Sequence, residues 1–375
     1  MPEPQCWQQH NPVHIICGSG SRKQLAKHLP VAGRVLLVTS EGMVRRGEAQ
    51  ALIQNCMGVE WTVQTITPNP DLDLLDDIHT KLHPQAWAAV VALGGGSVID
   101  AAKTLALALQ SPHSRPLQIW LREGKLDLPK PLPLVCLPTT AGTGAEVTPF
   151  ATVWDGARQK KCSLGGLGLF PAVALLDPEL TLSLPWQETL FTALDTTSHA
   201  LETLWNRHAT PVSKAMAVEA LRLLDPILPR LEHGLSDLAM REQLQTASLF
   251  AGLAISQSRT ALAHAISYPL TLHYAVPHGL ACSFTLPALI RHVQAEQAFP
   301  HTVPLALLQS IEKALRQFNL HKLLHHYCST EDVLNQIEQM FDPARAENFV
   351  LKIDKSWVRD LLLESLAGLT YMRNA

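Results

Sequence analysis

Several features that would each point to a class of protein are missing from this chain. Its seven cysteines, at 6, 17, 56, 136, 162, 282 and 328, form no CxxC pair and are odd in number. That argues against a disulfide framework or a thiolate zinc ribbon and fits reduced thiols in a cytoplasm. No cysteine is assigned a metal or nucleophile role. Neither sign of charge dominates, since 30 Lys and Arg face 33 Asp and Glu for a formal net charge of −3. Such a balance offers no footing for nucleic acid or an anionic membrane surface as partner. No apolar run is long enough to span a bilayer, and the opening MPEPQCWQQHNP lacks the charged and apolar regions of a signal peptide. The expected location is therefore cytoplasmic. Internal repeats, low-complexity tracts and long linkers are also absent. At 375 residues the chain exceeds one typical core, so two closely packed domains are expected.

What is present falls into two textures. Up to about residue 184, apolar β-branched runs alternate with helical stretches. Arg34–Thr39, Ala88–Leu93 and Leu132–Leu137 read as buried strands. Continuous apolar strands separated by helices predict a parallel sheet covered on both faces. After Pro185 the pattern turns helical. Leu190, Leu194, Leu201 and Leu204 recur on one stripe, and Asp195, His199, Glu202 and Asn206 occupy a more polar one beside it. Further helices are expected over 212–232, 236–256 and 303–318. The predicted architecture is an α/β dinucleotide-binding domain over residues 1–184, followed by an all-helical domain over 185–375.

Two loops of the first domain carry ligand chemistry. Gly94-Gly95-Gly96-Ser97 leaves a strand and enters a helix running from Val98 to Leu109. Glycines let backbone approach a pyrophosphate, and a helix N-terminus offers unpaired N–H groups. The spacing is not that of GxGxxG, so the ordinary Rossmann label does not transfer. Asp100 and Lys103 follow on the helix, where a cap and an i, i+3 pair are the structural alternative. The third apolar run ends in Pro138-Thr139-Thr140-Ala141-Gly142-Thr143-Gly144-Ala145-Glu146. Hydroxyls and bare backbone at the carboxyl end of a parallel strand are well placed for a ligand's polar groups.

The second domain carries four metal-type ligands at two tight spacings. Asp195 and His199, in DTTSHALE, are four apart and share a helix face; His264 and His278 lie in AHAISYPLTLHYAVPHG. His278 follows Pro277 and precedes Gly279, which predicts a turn or a helix start. One carboxylate oxygen and three imidazole nitrogens suit Fe²⁺ or Zn²⁺, with a position left for a substrate oxygen.

Taken together, GGGSVIDAAK, PTTAGTGAE, DTTSHALE, AH and PHG, in this order over residues 30–290, resemble the iron-containing (group III) alcohol dehydrogenase family. The resemblance implies a dehydroquinate synthase-like fold, with a dinucleotide domain, a helical metal domain, an active site in the cleft between them, and a homodimer. It implies Asp195, His199, His264 and His278 as metal ligands and speaks against the metal-independent maleylacetate reductases of similar fold. Gly95, Gly96 and Ser97 are implied as pyrophosphate contacts, with Gly94 in the same cofactor-binding turn, and Thr139, Thr140 and Thr143 as contacts to the rest of NADH or NADPH. Asp100, Lys161 and Ser40 complete the expected cofactor set. Three departures stand out. Tyr268 occupies the place of a further family histidine, so Tyr268, His273 or water is left as proton donor. Ser40 replaces a carboxylate common in NAD-preferring members, which eases access for NADP, with Arg45 or Arg46 in reach and Glu41 opposing. Ala145 replaces a frequent serine, a change expected to be tolerated.

The implied reaction is reduction of a short aldehyde to a primary alcohol. The segments TPFATVWD, ALETLWNRHATPVS and RTALAHAISYPLTLHYAVPHGLACSFTLP look most like the phosphonoacetaldehyde reductases within the family. An anionic substrate needs a cation or N–H donors near the metal. Arg259 is the first candidate, followed by Lys161 and Arg207. A general primary alcohol dehydrogenase and a reductase of sulfoacetaldehyde or another short aldehyde are the nearest alternatives. A dehydroquinate synthase-like cyclase and a zinc glycerol dehydrogenase share the architecture, but their metal sets differ.

Overall fold

The computed structural model describes residues 6–125, 128–341 and 343–368. Contacts divide the chain into two compact units, Asn11–Leu184 and Pro185 onward, with the segment that ends at His10 belonging to the second. His10 exchanges hydrogen bonds with the Gln257 side chain, 3.2 Å from its N–H and 2.7 Å to its carbonyl. The start of the first domain is therefore corrected from residue 1 to Asn11.

In the first unit the strands are β1 His14–Cys17, β2 Arg34–Thr39, β3 Glu60–Thr65, β4 Ala89–Gly94, β5 Leu134–Pro138 and β8 Val173–Leu176. They form one parallel sheet in the order β1-β8-β5-β4-β2-β3. Every residue of β4 and β5 is buried, as the continuous apolar runs require of strands covered on both faces. Side chains alternate between those faces. Leu36, Val38, Val90, Ala92 and Cys136 pack into one core cluster, and Val35, Leu37, Ala89, Val91 and Val135 into the other. A separate antiparallel hairpin joins β6 Phe150–Asp155 to β7 Lys160–Gly165. Because β2, β4 and β5 are parallel neighbours, the segments after Thr39, Gly94 and Pro138 all leave the same edge of the sheet.

The second unit is helical. Its Trp186–Leu204 helix buries fourteen residues, including the polar run Asp195–His199, which a surface helix would expose. It packs beside Pro211–Leu224 and Leu238–Ser258, two helices that pack on each other as well. His278 opens a short helix over His278–Ala281, with Pro277 at its N-cap. Among the described residues no helix is long and apolar enough to cross a membrane.

Candidate metal centre and cofactor loops

The metal centre is built around one oxygen. Asp195 Oδ1 lies 3.5 Å from His199 Nε2, one helical turn away on the same face. The Leu262–Tyr274 helix brings His264 Nε2 to 3.5 Å from that oxygen, and the short helix brings His278 Nε2 to 3.8 Å. Around a tetrahedral ion with bonds of about 2.1 Å, neighbouring donor atoms stand about 3.4 Å apart. The observed separations match donors that face one ion. The His199 and His264 rings are stacked at 4.8 Å, and His278 stands edge-on to His264 at 5.1 Å.

Gly279 explains how His278 reaches the group. A Cβ on this residue would sit 1.8 Å from the Phe191 carbonyl oxygen. The His278 turn thus lies directly against the backbone of the Asp195 helix, an approach only glycine permits.

Glu202 holds His264 from behind. It is fully buried, with Oε2 2.6 Å from His264 Nδ1 and Oε1 accepting the His264 backbone N–H at 3.2 Å. His264 Nε2 is buried, makes no hydrogen bond and faces Asp195. An imidazole oriented through its other nitrogen by a carboxylate is a common arrangement for a metal ligand. Burial pushes both acids towards their neutral forms. At Asp195 the three imidazoles outweigh it and hold the carboxyl far below its usual range; at Glu202 the His264 ring, with backbone N–H donors, outweighs burial and lowers the carboxyl. Two buried anions and three rings around one point fit a divalent transition metal.

Cys282, four residues after His278, is a neighbour of the group that the sequence reading did not single out. Its Sγ lies 3.4 Å from Asp195 Oδ1. Asp195, His264, His278 and Cys282 each offer a donor atom, all within 4.8 Å of one another. Burial raises the thiol well above its ordinary pKa, so it donates to Asp195 as a neutral group.

The centre opens on one side. Side chains of Asp195, His199 and His264 are at most 6% exposed, whereas His278 is 34% exposed. Tyr268 lies parallel to the His278 ring, at 6.4 Å and 6°, and Arg345 Cζ stands 4.6 Å from the Tyr268 ring centre. His273 is not brought to this group. It is bonded through Nε2 to Gln339 at 3.1 Å, nine residues, or about 13 Å of helix, beyond His264. Arg259 is exposed at the end of the Leu238–Ser258 helix, with its carbonyl accepting from Asn206 at 3.2 Å. Asn206 is seven residues past His199, roughly 10 Å along the chain's helical rise. Arg207 spends its guanidinium on the carbonyls of Phe349, Val350 and Leu351.

In the first unit, the glycine turn and the threonine loop meet. Gly95 caps the Gly96–Ala108 helix, and the Thr139 N–H donates to the Gly94 carbonyl at 3.1 Å. A Cβ on Gly96 would stand 2.7 Å from Thr143 Cγ2, and one on Gly95 3.1 Å from Thr140 Cγ2. The glycines therefore seat the second loop as well as leaving backbone N–H groups open to an anion. Ser97 Oγ accepts the Asn69 N–H at 3.2 Å, and Ser40 caps the next helix by accepting from Met43 at 3.4 Å. Asp100 accepts the Thr152 N–H at 2.9 Å, tying the helix to β6. Lys103 is buried and donates to the Thr148 and Phe150 carbonyls, both at 2.7 Å. Lys161 stands over the Trp154 ring at 5.7 Å. Arg45 and Arg46 are exposed.

Models of two family domains match this chain. The iron-containing alcohol dehydrogenase domain covers residues 12–178, and the C-terminal domain of the Fe-containing alcohol dehydrogenases covers 189–348. The chain belongs to the iron-containing alcohol dehydrogenase family. It is an oxidoreductase of that family, with its fold. The phosphonoacetaldehyde reductase of Streptomyces viridochromogenes is 35% identical over 271 residues, 71% of this chain and 69% of that one. The probable alcohol dehydrogenase EutG of Escherichia coli is 31% identical over 284 residues, 74% of this chain and 71% of its own. Among solved structures, the sulfoacetaldehyde reductase of Bifidobacterium kashiwanohense, in complex with NAD⁺, superposes with a TM-score of 0.87 at 29% identity. It covers 97% of this chain and 100% of that one.

Against this family frame, Glu202, Gly279 and Cys282 are the residues that reading the sequence missed. Cys282 carried the same i, i+4 signal as Asp195 and His199. Glu202 stood on the polar stripe, but its partner is 62 residues away.

Proposed function

We propose that this enzyme reduces a short anionic aldehyde to a primary alcohol, with phosphonoacetaldehyde to 2-hydroxyethylphosphonate as the first candidate. The observation that carries the reaction class is the gathering of three imidazole nitrogens within 3.8 Å of the buried Asp195 oxygen, with His278 the exposed member. The substrate class is supported by two relatives whose names specify two-carbon aldehydes bearing an anion. Asp195, His199, His264 and His278 would hold the metal, Fe²⁺ first and Zn²⁺ second. When bound, such a cation stabilises negative charge developing on a carbonyl oxygen, and the nicotinamide supplies hydride.

The chain's own residues do the rest. Glu202 keeps the His264 ring turned towards Asp195 through the 2.6 Å contact at Nδ1. Gly95, Gly96 and Ser97 present the N-terminus of a thirteen-residue helix to the pyrophosphate. Tyr268, parallel to His278 with ring centres 6.4 Å apart, is a candidate for delivering the proton, and solvent is its competitor. Ser40 sets no carboxylate against a 2′-phosphate, which supports acceptance of NADPH at least as readily as NADH. The likeness to EutG favours a second reading, a primary alcohol dehydrogenase for neutral substrates. Oxidation of NADPH and NADH should be followed with phosphonoacetaldehyde, sulfoacetaldehyde, lactaldehyde and propionaldehyde. Turnover of phosphonoacetaldehyde well above that of propionaldehyde is expected. Turnover of neutral aldehydes alone would replace the first reading with the second.

A further inference from the structure

We propose that Cys282 is a thiolate ligand of the metal centre, and that it makes the centre favour thiophilic cations such as Zn²⁺ or Cd²⁺ over hard ones such as Mn²⁺. The inference rests on the metal-centre reading above and adds a soft donor to it. Cys282 Sγ lies 3.4 Å from Asp195 Oδ1, and the donor atoms of Asp195, His264, His278 and Cys282 all stand within 4.8 Å of one another. Around a tetrahedral ion with one bond of about 2.3 Å to sulfur and others of about 2.1 Å, the sulfur stands about 3.6 Å from its neighbouring donors. The contact with Asp195 already meets that figure, and the sulfur's other pairs need close by roughly 1.2 Å at most.

Local structure puts the thiol there. Cys282 follows His278 by four residues, and its N–H donates to the His278 carbonyl at 2.9 Å, so the two side chains share one side of a helical turn. Asp195 and His199 repeat that spacing on the neighbouring helix. The two elements are bound together at this point. Ser198 Oγ donates to the Cys282 carbonyl and Ser283 Oγ to the Leu194 carbonyl, both at 3.0 Å. Cys282 is fully buried, and so in effect is His264, whose Nε2 makes no hydrogen bond. A cysteine packed for volume alone would face apolar side chains. This one faces a carboxylate oxygen and two ring nitrogens.

As a thiol, Cys282 donates to Asp195. When it takes a cation, the S–H bond breaks, a sulfur–metal bond forms and the proton passes to solvent. Neither sulfur nor metal changes oxidation state. The thiolate adds its charge to that of Asp195, and a soft donor strengthens the hold on a thiophilic ion far more than on a hard one.

The test uses the full chain freed of metal by a chelator, as wild type, Cys282→Ser and Cys282→Ala, titrated with Cd²⁺ and separately with Mn²⁺. Wild type should develop an ultraviolet thiolate-to-cadmium charge-transfer band that is complete at one ion per chain, and neither variant should. Competition with a chromophoric chelator should show Cd²⁺ affinity lowered roughly 10- to 100-fold in both variants, with Mn²⁺ affinity within about threefold of wild type. Absence of the band in wild type, a result that needs no variant to fold, would overturn the assignment. So would a band that survives Cys282→Ser. Equal losses for Cd²⁺ and Mn²⁺ would also overturn it, leaving Cys282 as a hydrogen-bond donor that positions Asp195. A wild type that binds neither ion would overturn the metal centre itself.

Discussion

The glycine turn and the metal centre solve opposite problems. At Gly94–Ser97 the ligand-facing surface is backbone, and side chains matter because they are missing. At Asp195 the ligand-facing surface is side chain, and two carboxylates and two of the three imidazoles are buried where water cannot satisfy them. The first site fails through steric intrusion, the second through loss of charge or of a donor. Substitutions should therefore separate the two in kind, cofactor affinity against metal content.

The largest effect is expected at the metal ligands. His264→Ala removes a donor and leaves Glu202 buried without its partner. It should abolish bound metal and lower turnover by at least about a thousandfold. Metal analysis beside circular dichroism checks this, and a folded variant with full metal content would exclude His264 from the centre. Next comes Gly96→Val, where even the first carbon of the side chain meets Thr143 at 2.7 Å. KM for the cofactor should rise tens-fold with metal content unchanged. Because the clash is with a methyl group, Gly96→Ala should be partly repaired by Thr143→Ser. A Gly96→Val enzyme with wild-type cofactor KM would show that the nucleotide does not use this turn.

A subtler break is Glu202→Gln, which keeps shape and removes charge behind His264. Metal affinity should fall about 10- to 100-fold. Competition with a chromophoric chelator measures it, and unaltered affinity would reduce Glu202 to a packing role.

The smallest effect concerns stability rather than either ligand. Burial pushes Glu146 of the threonine loop up to about 7, from an ordinary 4.5. The folded chain then keeps a proton that the unfolded chain releases, so stability is full below pH 4.5 and falls as pH rises towards 7. The loss amounts to about 3 kcal/mol by pH 8. Glu146→Gln should flatten this part of the Tm–pH profile, and parallel profiles for the two proteins would contradict it.

The same contrast governs what could be read in the sequence. β2, β4 and β5 were legible because strands buried on both faces are apolar throughout. β1 and β3 were not, because neither holds a fully buried residue and their patterns mix half-buried with exposed positions. Asp195 and His199 were legible because their spacing is local. Glu202 and Cys282 act across 62 and 87 residues of chain, and no local period reports such pairings. Asp100 and Lys103 stood out as chemistry and proved to be tied to the backbone of β6 and the loop before it. A charged residue in a ligand-binding motif can be there to hold the loop.

The contact between Gly279 and Phe191 bears on how the enzyme can drift. Helices that meet through side chains shift whenever those side chains change volume, because ridges and grooves adjust to one another. Where carbonyl meets Cα, as at 1.8 Å from the missing Cβ, no side chain intervenes to transmit such a change. The spacing between Asp195 and His278 is thus insulated from substitutions in the surrounding core. Lineages of this chain could exchange much of the helical interior, and with it stability or substrate fit, while the distance between two metal ligands stays as it was.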